Sequence, residues 1–445
     1  MAQTSTATKF TTVRSLLNAL ARTMNLINPE MENHHQQTAY LAYQTGAEMG
    51  LGTEDLHMIV VASLLHDLGT IVKPQKENLS QIESRRREVA HIGAEMIRDL
   101  KQFRPVADVI ELCQNSYLDN VRFAGTKEPL VTLDTIHGKT QVSMEQYIDV
   151  AGCIHLADII SASWDEGSGE ILNQVSVYKK GVEAGRGTEF SDKVADAFLR
   201  LSDREYIWMD FALNPSFLTF FTGDMHDVDL EQTVELTQLA SRIIDFRSAF
   251  TAMHSAGVAA SARELARLAG MSEEDCRKME IAGNLHDIGK LRVPNEILEK
   301  PGKLTDVEFN KVKEHTYYTR LILADVEGFE DIAGWAAYHH EKLNGRGYPF
   351  HLDGSRLDLG SRIMAVADIF SAITEERPYR RPMNREQAMK VMRENVERGG
   401  ICGAIVKLLE ENYDAVNDAR MKKSREAGAR YFMTYRPGGE DGASS

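Results

Sequence analysis

The chain has 445 residues, enough for two or three domains with a substantial core in each. Hydrophobic residues make up 43% and charged residues 26%, near the averages for soluble globular proteins; the formal charge of −15 argues against non-specific binding of nucleic acid or an anionic membrane. The four cysteines, Cys113, Cys153, Cys276 and Cys402, have no CxxC spacing, which excludes a zinc ribbon and a disulfide framework and fits a reducing compartment. The amino-terminal stretch has no apolar leader core, and no apolar run approaches the ~18 residues of a membrane span, so the expected setting is the cytoplasm.

Only 11 residues are proline, and apolar positions recur at helical spacing through most of the chain, which predicts an all-α protein with short hairpin segments at most. His34 opens the first amphipathic helix, a glycine and an acidic helix start follow, and "LLHDLGT" closes the interval at 64–70. "LVTL" at 130–133 reads as a short hairpin strand, and "HLADIISA" at 155–162 as a buried helix. Residues 192–250 read as helices that close one unit and lead into the next. Val258, Ala262, Leu265 and Leu268 then form a helical stripe that Gly270 ends, and Ser272-Glu273-Glu274-Asp275 starts a new helix with acids suited to its dipole. That helix runs through Met279, Ala282 and Leu285 into "NLHDIGK" at 284–290.

These segments repeat. His34 precedes His66 by 32 residues, His254 precedes His286 by the same 32, and "AVADIFSA" at 365–372 echoes 155–162. The chain therefore reads as two copies of one unit, 1–225 and 226–430, with a disordered tail at 431–445.

A lone helix histidine is most often a hydrogen-bonded core or surface residue. The set in the second unit is another matter: His254, His286, Asp287, His315, His339, His340 and Asp368 lie among apolar residues, with two adjacent pairs. Neighbours on a helix point about 100° apart, so both members of a pair reach one cleft, where a carboxylate can bridge two cations. Imidazole with carboxylate suits Fe, Mn, Zn or Ni better than Mg or Ca, and seven candidates suggest two ions, able to polarise a phosphoryl group and activate water. Lys290, four residues after His286, is expected on the same helix face, where it would stabilise charge developing on phosphate.

With "HS" at 254–255, "HDIGK" at 286–290, "PGKLT" at 301–305, "EH" at 314–315, "HHEKLNGRGYP" at 339–349, "AVADIFSAIT" at 365–374 and "RPYR" at 377–380, the sequence resembles the HD superfamily of metal-dependent phosphohydrolases, in its HD-GYP branch. The resemblance implies two tandem HD-type helical domains and hydrolysis of cyclic dinucleotides, above all cyclic di-GMP, to linear pGpG or GMP by attack of a metal-bridged hydroxide. It implies that His254, His286, His315, His339 and His340 bind metal, that Asp287 bridges and that Asp368 completes the set, with Fe or Mn first and Zn or Ni next. Lys290 would assist at the phosphate, Gly347, Tyr348 and Pro349 would shape the substrate loop, and Arg377 and Arg380 would contact phosphate or guanine.

Two positions depart from the family pattern. Asn344 stands where aspartate is usual, which bears on a turn. Phe250 stands where some members place a glutamate for a third metal, so a binuclear site is expected. Glu341 is expected to support the site without binding metal.

The first unit keeps His34, His66, Asp67, His91 and Asp158 as candidates for a degenerate metal site. Thr70 replaces the lysine, and Gln114 and Asn115 replace the paired histidines. This unit is expected to lack the same activity and to serve regulation or dimerisation. His35 is expected at the surface, and His155 as either an added ligand or a core histidine.

The leading function is thus a cyclic di-GMP phosphodiesterase. The alternatives are an enzyme specific for 3′3′-cyclic GMP-AMP, a cyclic-dinucleotide sensor or scaffold with little catalysis, and a broader nucleotide phosphohydrolase. Expected partners are the cyclic dinucleotide and a second copy of the chain or a signalling protein, with no nucleic-acid polymer and no membrane.

Overall fold

The computed structural model describes residues 9–27, 33–72, 85–98, 100, 103–125, 130–135, 138–164, 170–213, 227–245, 249–298, 300, 302–376 and 381–434. The chain divides into two compact units, Leu20–Asp224 and a second made of Met1–Ala19 with Met225–Ser445. The first nineteen residues, expected with the amino-terminal unit, thus group with the carboxy-terminal one, where Thr11–Thr12 pairs antiparallel with Asp227–Val228 and Phe10 lies against Phe329 at 6.1 Å between ring centroids. Both units are helical, and no described helix is long and apolar enough to cross a membrane.

In the amino-terminal unit, helix α1 (His34–Met49) packs against α2 (Thr53–Leu65) and α4 (Met144–Ser163), while α3 (Arg86–Ile97) lies on the 3₁₀ turn Leu68–Val72 that follows α2. The expected strand at 130–133 is longer than its four residues: Leu130–Thr135 pairs antiparallel with Gly138–Ser143, in register Leu130↔Ser143. The core is apolar side chains at helical spacing, Leu41 on α1 and Ile59, Val60, Leu64 and Leu65 on α2, all fully buried.

The carboxy-terminal unit repeats this beginning. Helix α5 (Ala249–Leu268) packs against α6 (Glu273–Leu285), α9 (Leu359–Thr374) and α10 (Tyr413–Thr434), and α7 (Asp306–Leu323) lies on the 3₁₀ turn Ile288–Arg292 and beside α8 (Glu330–Ala337). Val258, Ala262, Leu265, Met279, Ala282 and Leu285 are buried as their spacing predicts. Ser272 caps α6 by accepting a hydrogen bond from the Asp275 backbone N–H at 3.0 Å. The turns that join α1 to α2 and α5 to α6 use left-handed glycines, Gly50 at φ 82° and Gly270 at φ 81°, where a Cβ would be strained.

Helix α10 continues to Thr434, so the first four residues of the expected tail are helical; 435–445 lie outside the described residues.

Candidate metal centre

The His-Asp pair of the carboxy-terminal unit sits at a helix end. Helix α6 stops at Leu285, His286 caps it, and Asp287 leads into the 3₁₀ turn Ile288–Arg292. Lys290 therefore does not share a helix face with His286, because the helix has already ended. Its Nζ turns back onto Asp287 Oδ2 at 2.5 Å.

Gly289 is what allows the turn to lie there. A Cβ at this position would stand 1.9 Å from the carbonyl oxygen of His315 on α7, an approach that no side chain permits. Gly289 N donates to Thr319 Oγ1 at 3.1 Å, and that hydroxyl donates to the His286 carbonyl at 2.9 Å. The His-Asp turn and the helix of His315 are thus locked together by backbone contact.

Three histidines share one hydrogen-bonding device. Nδ1–H of His286, His315 and His339 donates to the carbonyl three residues earlier, Gly283 at 2.7 Å, Val312 at 2.5 Å and Ala336 at 2.6 Å. This fixes the tautomer and leaves each Nε2 lone pair for the interior, as metal-binding imidazoles require. The Nε2 atoms of His315 and His339 stand 3.3 Å apart, with the His340 ring beside them.

Asp287 lies between two donor sets. Its Oδ2 is 3.3 Å from His286 Nε2, whereas its Oδ1 is 3.6 Å from His315 Nε2 and 3.9 Å from His339 Nε2. Asp368 Oδ1 is 3.2 Å from His254 Nε2 and 4.0 Å from His286 Nε2, and its Oδ2 is 3.8 Å from His340 Nδ1. Two groups result, His254 with His286 and Asp287, and His315 with His339 and His340. All seven sequence candidates are brought together. His286 Nε2 and Asp287 Oδ1 are fully buried with no hydrogen-bond partner among the described residues. Orphaned polar atoms aimed at further imidazoles are costly in a bare protein and fit a cation as their missing partner.

The electrostatics agree. Burial alone would raise the Asp287 carboxyl, but the His286 imidazole and the Lys290 ammonium outweigh it and hold the group well below its usual range. Burial lowers His315 to about 3 and His340 to about 4, and carries His339 well below its ordinary value, so these three offer neutral nitrogens at neutral pH. His254 goes the other way: burial would lower it, yet Glu375 and Asp368 raise it to about 10. A metal at His254 would therefore displace a proton.

Glu375, which the sequence reading missed, accepts from His254 Nδ1 at 3.0 Å and orients that ring. Its signal was present, since it stands seven residues, two helical turns, after Asp368.

Glu341 is buried and supports the loop that follows it rather than the donor sets. Its two oxygens accept from the backbone N–H groups of Phe350 at 2.7 Å and Leu352 at 3.0 Å. This holds the segment in which Gly347 passes 2.4 Å, measured from an ideal Cβ, from Glu341 Cα. The Tyr348 ring lies 4.9 Å from that of His340, and Tyr348–Pro349 is a cis peptide. Glu341→Ala would leave the buried Leu352 N–H and the half-buried Phe350 N–H without an acceptor and is expected to destabilise this unit by about 2–4 kcal/mol, readable as a lower denaturant midpoint. Asn344 does shape a turn: its Oδ1 accepts from Arg346 N at 3.0 Å, while its amide donates to the Arg398 carbonyl at 2.8 Å, which an aspartate could not do. Arg377, Arg380 and the Phe250 side chain lie outside the described residues.

In the amino-terminal unit, His34, His66, Asp67 and Asp158 converge. Nε2 of His34 is 3.4 Å from Nε2 of His66 and 3.1 Å from Asp158 Oδ1. His91 does not join them. Its side chain is 60% exposed and pairs with Glu111 at 3.1 Å. The glycine explains why: a Cβ on Gly69 would meet the Val89 carbonyl at 2.0 Å, as one on Gly289 meets that of His315, so Val89 holds the position of His315. His35, expected at the surface, is instead 2% exposed and inside the cluster. His155 is a satisfied core histidine, bonded to the Cys113 carbonyl at 2.9 Å and Glu189 at 2.7 Å. Gln114 donates to Asp158 Oδ2 at 3.0 Å.

The HD-domain family matches residues 238–400 and again residues 31–163. A 3′3′-cGAMP-specific phosphodiesterase of Vibrio cholerae is 28% identical over 417 residues, 90% of this chain and 91% of that one. A cyclic di-GMP phosphodiesterase of Pseudomonas aeruginosa is 40% identical over 146 residues, 33% of this chain and 35% of that one. The crystal structure of a cyclic GMP-AMP specific phosphodiesterase of Vibrio cholerae superposes with a TM-score of 0.55 at 22% identity, covering 92% of this chain and 98% of that one, and so shares the fold. Two helical units, each with a histidine helix leading to a His-Asp turn and a later aspartate helix, and each matched by the family, place the chain in the HD superfamily as a tandem of two HD domains.

Proposed function

We propose that the carboxy-terminal unit is a metal-dependent phosphodiesterase that opens cyclic dinucleotides, and that the amino-terminal unit is its regulatory or dimerisation partner. The observation that carries the reading is Asp287, whose two oxygens face separate histidine sets. His254, His286, Asp287 and Asp368 would hold one ion, and His315, His339, His340 and the other oxygen of Asp287 a second. The nitrogen and oxygen donors suit Fe or Mn, with Zn or Ni as alternatives. Bound ions would supply Lewis-acid polarisation of the phosphoryl group and a water acidic enough to react at neutral pH.

The chain's own residues do the rest. Backbone carbonyls aim the imidazoles, Lys290 holds Asp287 Oδ2 and places a cation beside the phosphate position, and Glu341 keeps the loop of Gly347, Tyr348 and Pro349 over the histidines. Arg377 and Arg380 remain the proposed phosphate or guanine contacts. The amino-terminal unit has Thr70, Val89, Gln114 and Asn115 at the positions of Lys290, His315, His339 and His340, which supports a unit without this hydrolysis. The reading includes a cytoplasmic setting, supported by four free cysteines.

Within the class, a relative matched along both units is named 3′3′-cGAMP-specific, which supports the mixed dinucleotide; the carboxy-terminal motifs support cyclic di-GMP, and shorter matches carry both names. Protein loaded anaerobically with Fe(II) or Mn(II), given equal amounts of both, separates the two by the order in which they disappear on liquid chromatography. Cleavage of either that is lost in Asp287→Ala supports the phosphodiesterase reading. Binding of both without cleavage by metal-loaded protein would replace it with a sensor.

A further inference from the structure

His35 is buried at 2% exposure, yet neither ring nitrogen has a hydrogen-bond partner among the described residues. Its ring lies 5.4 Å from those of both His34 and His66, and its Nε2 is 3.7 Å from Asp67 Oδ2. A buried imidazole with two idle nitrogens is costly unless something else satisfies them. The repeat gives no reason for it, since the equivalent position in the carboxy-terminal unit is Ser255.

The donors around it are spaced for a single ion. His34 Nε2, His66 Nε2 and Asp158 Oδ1 stand 3.4, 3.1 and 3.3 Å apart, and Asp67 Oδ2 is 3.3 Å from His66 Nε2. Ligands about 2.1 Å from one ion at tetrahedral to octahedral angles are roughly 3.0–3.4 Å apart. Their outer atoms are already engaged. His34 Nδ1 bonds Ser161 Oγ at 3.0 Å, His66 Nδ1–H donates to the Ser63 carbonyl at 2.7 Å, and Gln114 holds Asp158 Oδ2 at 3.0 Å. With Val89, Gln114 and Asn115 in place of histidines, no counterpart of the set of His315, His339 and His340 is present among the described residues.

We propose that the amino-terminal unit binds one transition-metal ion through His34, His35, His66, Asp67 and Asp158, and that His35 takes the position a hydrolytic centre leaves open to water or substrate. A site closed by five protein donors is structural. The inference does not rest on the phosphodiesterase reading, and its test reads metal rather than hydrolysis.

The probe is Co(II) bound to the full chain carrying His286→Ala, His315→Ala and His339→Ala, which strips the other site, with circular dichroism confirming the helices. One Co(II) per chain should survive gel filtration, and azide should leave its visible spectrum unchanged. Adding His35→Gln should speed loss of Co(II) to EDTA by about tenfold or more and make the spectrum respond to azide. As a second route, His66→Ala in the otherwise native chain should hold one ion fewer than the native protein. No retained Co(II) in a folded triple variant, or an equal ion count in His66→Ala, overturns the site; unchanged loss and spectrum in His35→Gln overturn the role of His35.

Discussion

Asp287→Asn is expected to reduce hydrolysis of a cyclic dinucleotide by about 10³-fold or more and to empty both donor sets at once. The side chain keeps its shape, so the effect is one of charge and lone pairs. The carboxylate faces His286 through one oxygen and His315 and His339 through the other, and burial leaves it no water to fall back on. An amide offers one oxygen and turns toward the other set an NH₂, which has no lone pair to offer a cation. Loss of several kcal/mol of stabilisation at the proposed two-ion centre corresponds to that rate factor. Metal analysis beside single-turnover kinetics checks it: an asparagine variant that kept both ions and its rate would remove Asp287 from the centre.

Gly289→Ala is expected to destabilise the carboxy-terminal unit by about 3 kcal/mol or more, although it adds a single methyl group. The atom that would meet it, 1.9 Å away, is the backbone carbonyl of His315, which cannot rotate aside as a side chain could. Relief requires the His-Asp turn to move off α7, which separates Asp287 from His315, so metal affinity should fall together with the denaturant midpoint. Gly69→Ala should act similarly in the amino-terminal unit, against the Val89 carbonyl at 2.0 Å. Gly181→Ala is the control. It lies exposed in the helix Val175–Ala184 with nothing within 4 Å of the added atom, and should gain about 0.5–1 kcal/mol.

The two glycines also mark where sequence reasoning succeeded and where it stopped. Within a helix, or across a short glycine turn, spacing in the chain fixes spacing in space, so the interval from His34 to His66 and its copy from His254 to His286 located both His-Asp turns. Asp158 and Asp368 were legible for the same reason. His91 follows the first His-Asp turn as His315 follows the second, but the segment between turn and helix differs in length between the two units. Only the contact of Gly69 with Val89 sets the register there, and that contact is not written in the pattern. Lys290 lies four residues after His286, which gives a shared face only while the helix continues, whereas the backbone tightens to a 3₁₀ turn at Ile288. His35 was dismissed because a single member of the adjacent pair fits the repeat. At the first turn of α1 both members are buried. Glu375 acts by completing the partner of His254, which a search for ligand types does not ask about.

Anomalous diffraction from crystals of the Mn(II)-loaded protein would test the central claim most directly. The account predicts two peaks in the carboxy-terminal unit, one within bonding distance of Asp287 Oδ2 and the other within bonding distance of Oδ1. One peak alone, or two that leave Asp287 uncoordinated, would contradict it.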